Sequence, residues 1–214
     1  KDKLCVIKNI KVKSILILIL IFAIVLRLLF FIGATSGDDL GYYDFAYKIT
    51  KNSFGHSGNF HSTRIGLIYP TALSYKLFGI NEYTSNLLPL ITSLLSVALT
   101  FYIGKLFFGE KTGLLAAFLL SFYPVHVSYA TILFPDLPSA FFVALGVYIF
   151  LKAEKMKSKI NYLISGVSIG VAYLMKELSV LIFSFFIIYI IYKKILKKEH
   201  FLVIFGFLSI FSFE

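Results

Sequence analysis

Tryptophan is absent from the 214-residue sequence, and cysteine occurs only once, at Cys5. A single cysteine cannot form an internal disulfide, so no disulfide framework holds this fold. Charged residues are also scarce, at 15% of the chain, whereas soluble domains carry roughly 25%. This shortage of charge excludes an ordinary soluble domain.

Hydrophobic residues, by contrast, make up 58% of the sequence. Apolar windows close to the length that spans a bilayer recur along the chain. They are centred on residues 14–34, 86–108, 113–133, 138–152, 160–176 and 178–192, and a seventh begins near residue 200. The sequence therefore predicts an all-α, polytopic transmembrane helical bundle.

The basic residues predict the orientation of this bundle. If the N-terminus is cytoplasmic, most of the 21 lysines and arginines fall in cytoplasmic segments, as the positive-inside rule requires. We expect a multi-pass protein of the cell membrane, with a basic cytoplasmic segment at 1–13 and a membrane module at 14–214. The net charge of +10 then reflects orientation and contact with anionic lipid, and nucleic acid is not expected as a partner. Because the chain ends inside an apolar run, we also expect it to be a piece of a longer protein.

The longest connection, residues 35–85, is predicted to lie outside the cell. Loops of this length are usually functional or carry structure of their own. We expect two amphipathic helices in the membrane interface here. The first places Leu40, Tyr43 and Tyr47 on one face and pairs Asp44 with Lys48. The second runs from Pro70 in its first turn to a cap at Gly79.

Two adjacent carboxylates, Asp38 and Asp39, follow the first span directly. Charge at a membrane boundary is costly and tends to mark function. A structural role is compatible with a functional one, because Asp38 or Ser36 would also cap the helix that starts near Leu40.

Several short motifs share an order and spacing that point to one family. They are Arg27, Asp38-Asp39-Leu40-Gly41-Tyr42, Arg64-Ile65-Gly66 with Pro70, Leu77-Phe78-Gly79, Tyr123-Pro124, Asp136-Leu137-Pro138 and the segment from Gly170 to Glu177. With these motifs the chain resembles the polyprenyl-phosphate-sugar-dependent glycosyltransferases of the GT-C superfamily, in the branch of protein O-mannosyltransferases and aminoarabinose transferases. The branch carries Asp-Glu-x-x-Tyr where this chain has Asp39 in the second place.

The resemblance implies a reaction and its partners. A sugar would pass from a lipid-phosphate-linked donor, dolichyl or polyprenyl, to an extracytoplasmic acceptor that is a protein, a lipid or a glycan. Membrane lipid would surround the bundle. Asp38 would act as the base for the acceptor, with Asp39 as the alternative base or as its partner.

The resemblance also implies cationic and acceptor-binding residues, whose roles stay open at this point. Lys176 either grips the donor phosphate or reaches for the interface. Arg27, inside the first span, is either paired structurally, for example with an external acid, or contacts the phosphate or the acidic site. Arg64 either holds the phosphate, orders its loop or is solvated. Tyr42, which completes the acidic motif, is expected to bind substrate.

Asp136 lies between two prolines and is either a turn former or a second acidic residue of the site. In the latter role it would orient the acceptor or help bind a divalent cation, Mg or Mn, although this branch often uses no metal. His56, His61 and His126 have no zinc-site spacing, so we expect no zinc ligation.

Two other classes of protein fit the same composition. One is a solute carrier, although the acidic residues cluster outside the spans and no inverted repeat is visible. The other is a membrane partner without catalytic activity.

Overall fold

The computed structural model describes residues 2–53 and 59–211. Within these ranges the chain forms twelve α-helices and no strand. The helices are α1 (Asp2–Leu29), α2 (Asp38–Thr50), α3 (Phe60–Thr63), α4 (Ile65–Phe78), α5 (Glu82–Ser85), α6 (Leu87–Phe108), α7 (Glu110–Phe122), α8 (Pro124–Tyr129), α9 (Asp136–Met156), α10 (Lys159–Met175), α11 (Ile182–Lys193) and α12 (Phe201–Phe211). The predicted all-α membrane bundle is confirmed.

Three helices of the described chain are long and apolar enough to cross a membrane. They are the Lys11–Leu29 part of α1, α6 and α9, and α10 is a shorter apolar helix. The first of these packs against α6 and α7, where Leu16, Ile19 and Ala23 of α1 meet Val97 and Phe101. This contact forms the core of the N-terminal half.

The prediction of one span over 113–133 is wrong. The helix stops at Phe122, and a short second helix, α8, begins at Pro124. Proline disfavours a helical conformation in the residue before it, and Tyr123 accordingly adopts an extended backbone with ψ near 118°. The break turns the chain, and it brings α8 beside the C-terminal end of α1.

The C-terminal half is built on α10, which packs against α9 and α12. Glycines allow the α10–α12 approach: a Cβ at Gly166 would lie 2.0 Å from the carbonyl oxygen of Val203, and one at Gly206 would lie 2.3 Å from that of Leu163. Small residues at such crossings let helices in membranes pack backbone to backbone.

A polar cluster joins the same helices at the other end of α10. The carboxylate of Glu154, whose side chain is 9% exposed, accepts hydrogen bonds from the Tyr162 hydroxyl, from Lys197 Nζ at 2.9 Å and from His200 Nε2 at 2.6 Å.

The segment between α1 and α6 folds over the opposite end of the bundle, where α1 and α10 finish. We call this part the loop-rich end. Here α2 packs on α4, and a Cβ at Gly66 of α4 would lie 3.0 Å from Leu174 and Met175 at the end of α10. The Gly79 cap and the Asp44–Lys48 pair, at 2.6 Å, are confirmed.

Three local expectations in this segment need correction. Pro70 lies inside α4 rather than in its first turn, and Gly37, not Asp38 or Ser36, is the N-cap of α2. The buried face of α2 is formed by Asp39, Tyr42, Phe45 and Ala46. Of the predicted apolar face, Leu40 and Tyr47 are exposed and Tyr43 is partly buried.

Candidate functional site

The two acidic residues that open α2 point in different directions, as adjacent helical residues must. The Asp38 side chain is 65% exposed, whereas Asp39 is fully buried. The Asp39 carboxylate accepts the backbone N–H groups of Thr35 at 2.5 Å and Gly37 at 2.8 Å. Asp39 therefore holds the loop that leads from α1 into α2, and Asp38 is left free to meet a ligand.

His61 stands beside Asp38, with its Nε2 3.9 Å from the Asp38 carboxylate. Asn59 fixes its proton: Asn59 Oδ1 accepts the backbone N–H of His61 at 3.1 Å and also contacts Nδ1 at 2.7 Å. Since the same oxygen serves both contacts, Nδ1 must be the protonated nitrogen that donates. In the neutral ring Nε2 then carries a lone pair, and it is buried with no hydrogen-bond partner among the described residues.

Gly41 makes room for this histidine. A Cβ on Gly41 would lie 2.6 to 2.8 Å from three atoms of the His61 ring. No larger residue could occupy the position without displacing the His61 ring.

Tyr42 lies at the centre of the group. Its side chain is 1% exposed, its ring meets the edge of His61 at 4.8 Å between centroids, and the guanidinium of Arg64 sits 5.6 Å from the ring centre. Burial raises the pKa of Tyr42 to about 12; the charge of Arg64 opposes the rise, and those of Asp38, Asp136 and Glu177 add to it. The Tyr42 phenol therefore stays protonated at neutral pH, and both cationic and anionic side chains act on it.

Lys176 and Asp136 form an ion pair at the border of this group. Asp136 begins α9, Lys176 follows the last residue of α10, and both side chains remain partly exposed. The next residue, Glu177, lies 3.5 Å from the hydroxyl of Thr63 in α3. The end of α10 is thus joined to the loop that carries His61.

Arg27 belongs to a separate cluster inside the bundle. It is 1% exposed and donates to Ser93 Oγ at 2.6 Å, to the carbonyls of Ala23 and Ser121 at 2.8 and 3.1 Å, and to His126 Nδ1 at 2.9 Å. Arg27 is thus structurally paired inside the bundle, and its partners among the described residues are neutral groups rather than an acid.

Metal ligands are not gathered in the described chain, where no group of three or more His, Cys, Asp and Glu side chains could hold an ion. Asp136 pairs with Lys176 instead. A divalent cation, Mg or Mn, stays a prediction from sequence. His56 lies outside the described residues.

The sequence reasoning missed the part that His61 and Gly41 play. The signal in the sequence was Asn59, two residues before His61. An asparagine at this spacing favours a helix cap, in which its side chain accepts from the backbone of the following turn. Indeed Asn59 is the N-cap of α3.

The structure is thus an all-α membrane bundle with acidic, cationic and proton-accepting groups gathered at one end. The family model described as dolichyl-phosphate-mannose-protein mannosyltransferase matches residues 64–213, and the chain belongs to that family. It is therefore a membrane glycosyltransferase of GT-C type. A comparison with curated proteins found no match.

The family match covers only part of the candidate site. Arg64, Asp136 and Lys176 lie within the matched residues, whereas Arg27 and the Asp38–Tyr42 motif precede them. The acidic motif therefore lies outside the matched residues, and its Asp38–Tyr42 sequence resembles that of the family.

Proposed function

We propose that the protein transfers a sugar, mannose or a relative of mannose, from a dolichyl- or polyprenyl-phosphate donor to a hydroxyl or amine of an extracytoplasmic acceptor. The acceptor is a protein, a lipid or a glycan. The observation that carries the proposal is the gathering of Asp38, His61, Arg64 and the Asp136–Lys176 pair around one buried tyrosine at the loop-rich end.

Asp38 is the base of this proposal. Its exposed carboxylate takes the proton of the acceptor as the acceptor oxygen or nitrogen forms a bond to the anomeric carbon of the sugar. The bond between that carbon and the phosphate oxygen breaks, and its electron pair leaves with the lipid phosphate. His61 Nε2, 3.9 Å away, carries a lone pair near the Asp38 carboxylate, and it accepts this proton once the two side chains close to hydrogen-bond distance.

Arg64 and Lys176 stabilise the leaving group. A phosphodiester donor carries one negative charge, and the monoester that departs gains a second. Cations beside it therefore stabilise the transition state and the product more than the bound donor, which is the condition for a catalytic effect. Lys176 reaches the phosphate by exchanging Asp136, its partner in this structure, for the incoming anion.

The first test measures sugar transfer by the full-length protein in lipid nanodiscs, with a panel of polyprenyl- and dolichyl-phosphate sugars. The variant Asp38→Asn should lower turnover by about 10²- to 10⁴-fold, the usual contribution of a positioned base. Asp44→Asn is the matched control, because Asp44 lies on the same helix and is 52% exposed. Full turnover in Asp38→Asn, or equal losses in both variants, would reject Asp38 as the base.

A second test separates donor binding from proton transfer. Lys176→Met should raise the KM for the lipid donor and also lower kcat, whereas Asp38→Asn should lower kcat with little change in that KM. If no donor in the panel supports turnover by folded protein, a solute carrier or a membrane partner without catalytic activity would be favoured instead.

A further inference from the structure

An open cavity of about 390 Å³ lies at the loop-rich end, between α2, α4 and α5. Its volume is within the roughly 300–1,000 Å³ of small-molecule sites. Three tyrosines, Tyr43, Tyr47 and Tyr75, and two acids, Asp44 and Glu82, contribute to its wall. The described residues of this wall include no lysine, arginine or histidine. The cavity is therefore aromatic and acidic in character.

This cavity lies on a different face of α2 from the candidate site. Asp38 and Tyr42 are four residues apart, and so are Tyr43 and Tyr47, so the members of each pair share a face of the helix. The five residues from Asp38 to Tyr43 turn the helix by about 140° beyond a full turn. The tyrosines of the cavity are therefore separate from the group around Tyr42.

Hydrogen bonds hold two of the three tyrosine rings in place. Asn86 Nδ2 donates to the Tyr43 hydroxyl at 3.1 Å, and the Tyr75 hydroxyl pairs with Ser85 Oγ at 2.8 Å. The face of an aromatic ring attracts a cation that lies within about 6 Å of its centre. One such contact exists within the chain itself at the third ring, because Lys51 Nζ lies 5.7 Å from the centre of Tyr47.

The charge that acts on the Tyr43 ring is negative. Burial raises the pKa of Tyr43 to about 12; the hydrogen bond with Asn86 opposes the rise, and the charges of Asp39 and Glu82 add to it. The phenol is therefore neutral at physiological pH, and it stands in the field of two carboxylates. A cation that entered the cavity would be stabilised by the same field.

Glu82 provides a carboxylate without a cation. None of the ion pairs formed by described residues includes it. Its side chain lies against Gly33, where a Cβ would come within 2.7 Å of Glu82 Oε2.

The other acid of the wall, Asp44, has its own partner. Asp44 pairs with Lys48 at 2.6 Å, and Lys48 Nζ lies 5.1 Å from the ring centre of Phe45, which is not part of the wall. Lys48 therefore reaches away from the cavity, and Glu82 is left as the acid that an incoming cation would meet.

We propose that this cavity binds an organic cation, namely a substituted ammonium group of the choline type, whose methyl groups contact the tyrosine rings while Glu82 supplies the countercharge. Aromatic side chains are suited to quaternary ammonium groups, whose charge is surrounded by apolar methyl groups. The inference does not depend on sugar transfer, because it rests on a cavity that is separate from Asp38.

The first test is equilibrium dialysis of radiolabelled choline against the full-length protein in nanodiscs of phosphatidylglycerol, a lipid without an ammonium group. Saturable binding above that of empty nanodiscs is expected. 3,3-Dimethylbutan-1-ol has the shape of choline with a carbon in place of the charged nitrogen, so it should displace choline only at concentrations at least tenfold higher than unlabelled choline. Methyl α-mannoside, a neutral sugar, should not displace it. No saturable binding, or displacement by either neutral compound as readily as by choline, would overturn the proposal.

A second set of nanodiscs identifies the source of the ammonium group. In phosphatidylcholine nanodiscs the lipid headgroup carries the same group as the probe. A rise of threefold or more in the Kd for free choline there would show that a lipid headgroup occupies the cavity, and an unchanged Kd would show that the cavity takes its ligand from water. Both results support a site for a substituted ammonium group.

Two acid substitutions test the countercharge. In Glu82→Gln the shape of the side chain is kept and its charge is lost, so the Kd for choline should rise about three- to tenfold. Glu177→Gln is the matched control, because Glu177 is also an exposed acid at the loop-rich end but is not part of the cavity wall. Equal rises in both variants would show that choline only follows the general charge of this end, and would overturn the assignment.

Two substitutions at Tyr47 test the aromatic contact. Tyr47 is 44% exposed, so neither change should prevent folding. Tyr47→Leu removes the ring and should raise the Kd for choline about 3- to 30-fold, the usual contribution of a cation on an aromatic face. Tyr47→Phe keeps the ring and should change the Kd by less than about twofold. If both variants lose the same affinity, the ring is not the contact.

Variants of the candidate site separate this inference from the proposed function. Lys176→Met and Asp38→Asn should both leave the Kd for choline unchanged. If either abolishes choline binding while Glu82→Gln does not, choline occupies the site around Tyr42, and the cavity proposal fails while the proposed function stands.

Discussion

Replacing Asp39 by asparagine should destabilise the fold, although the change is isosteric. The buried carboxylate accepts two backbone N–H groups, those of Thr35 and Gly37. An asparagine amide offers one oxygen, so one N–H group keeps a weaker partner and the other faces an NH₂ group. A lost charge-assisted hydrogen bond and a buried unpaired donor together cost about 2–4 kcal/mol.

Thermal unfolding in nanodiscs measures this loss. For a chain of this size, 1 kcal/mol corresponds to about 2–4 °C in Tm, so Asp39→Asn should lower Tm by about 5–15 °C. Asp38→Asn is the control: its side chain is exposed, and a surface substitution normally stays within about 0.5 kcal/mol. An unchanged Tm in Asp39→Asn, or an equal fall in both variants, would refute the conclusion that Asp39 stabilises the fold while Asp38 does not.

Three further predictions concern positions near and far from the site. Gly41→Ala should cut sugar transfer because its Cβ collides with the His61 ring, and adding His61→Ala should restore the Tm of Gly41→Ala but not its activity. Gly166→Ala should lower the free energy of unfolding by about 1–3 kcal/mol through overpacking at α12, whereas Ile164→Ala on the exposed face of α10 should change Tm little. Burial raises the pKa of Tyr42 to about 12, so as the pH rises above about 10 the unfolded chain loses this proton before the folded chain does. The free energy of unfolding should therefore fall between pH 10 and about 12. In Tyr42→Phe this fall, measured by chemical denaturation, should be smaller.

The sequence predicted the features that depend on local pattern. Long apolar windows located α1, α6 and α9, and the residue spacing located α2, the Asp44–Lys48 pair and the Gly79 cap. Averaged hydropathy failed at Pro124, because a window over 113–133 sums apolarity and does not register that one proline ends the helix.

The candidate site was predictable only in part, because its partners are distant in sequence. Arg27 bonds to Ser93, 66 residues away, and to His126, 99 residues away, and nothing in the local pattern of α1 indicates either. In the same way, Lys176 meets Asp136 only because the chain returns from α9 through α10. The residue types were therefore foreseeable, whereas their pairing needed the packed structure.

His61 and His126 show how neighbouring residues place the proton on different nitrogens of the same kind of side chain. Asn59 offers His61 an acceptor, so the proton lies on Nδ1, and Nε2 is left as a lone pair facing Asp38. Arg27 offers His126 a donor, so the proton lies on Nε2. The His61 ring therefore presents an acceptor at Nε2, whereas the His126 ring accepts at Nδ1 and carries its proton on Nε2. In Asn59→Ala the proton of His61 is no longer fixed on Nδ1, so sugar transfer should fall. Full turnover in Asn59→Ala would refute the role given to this contact.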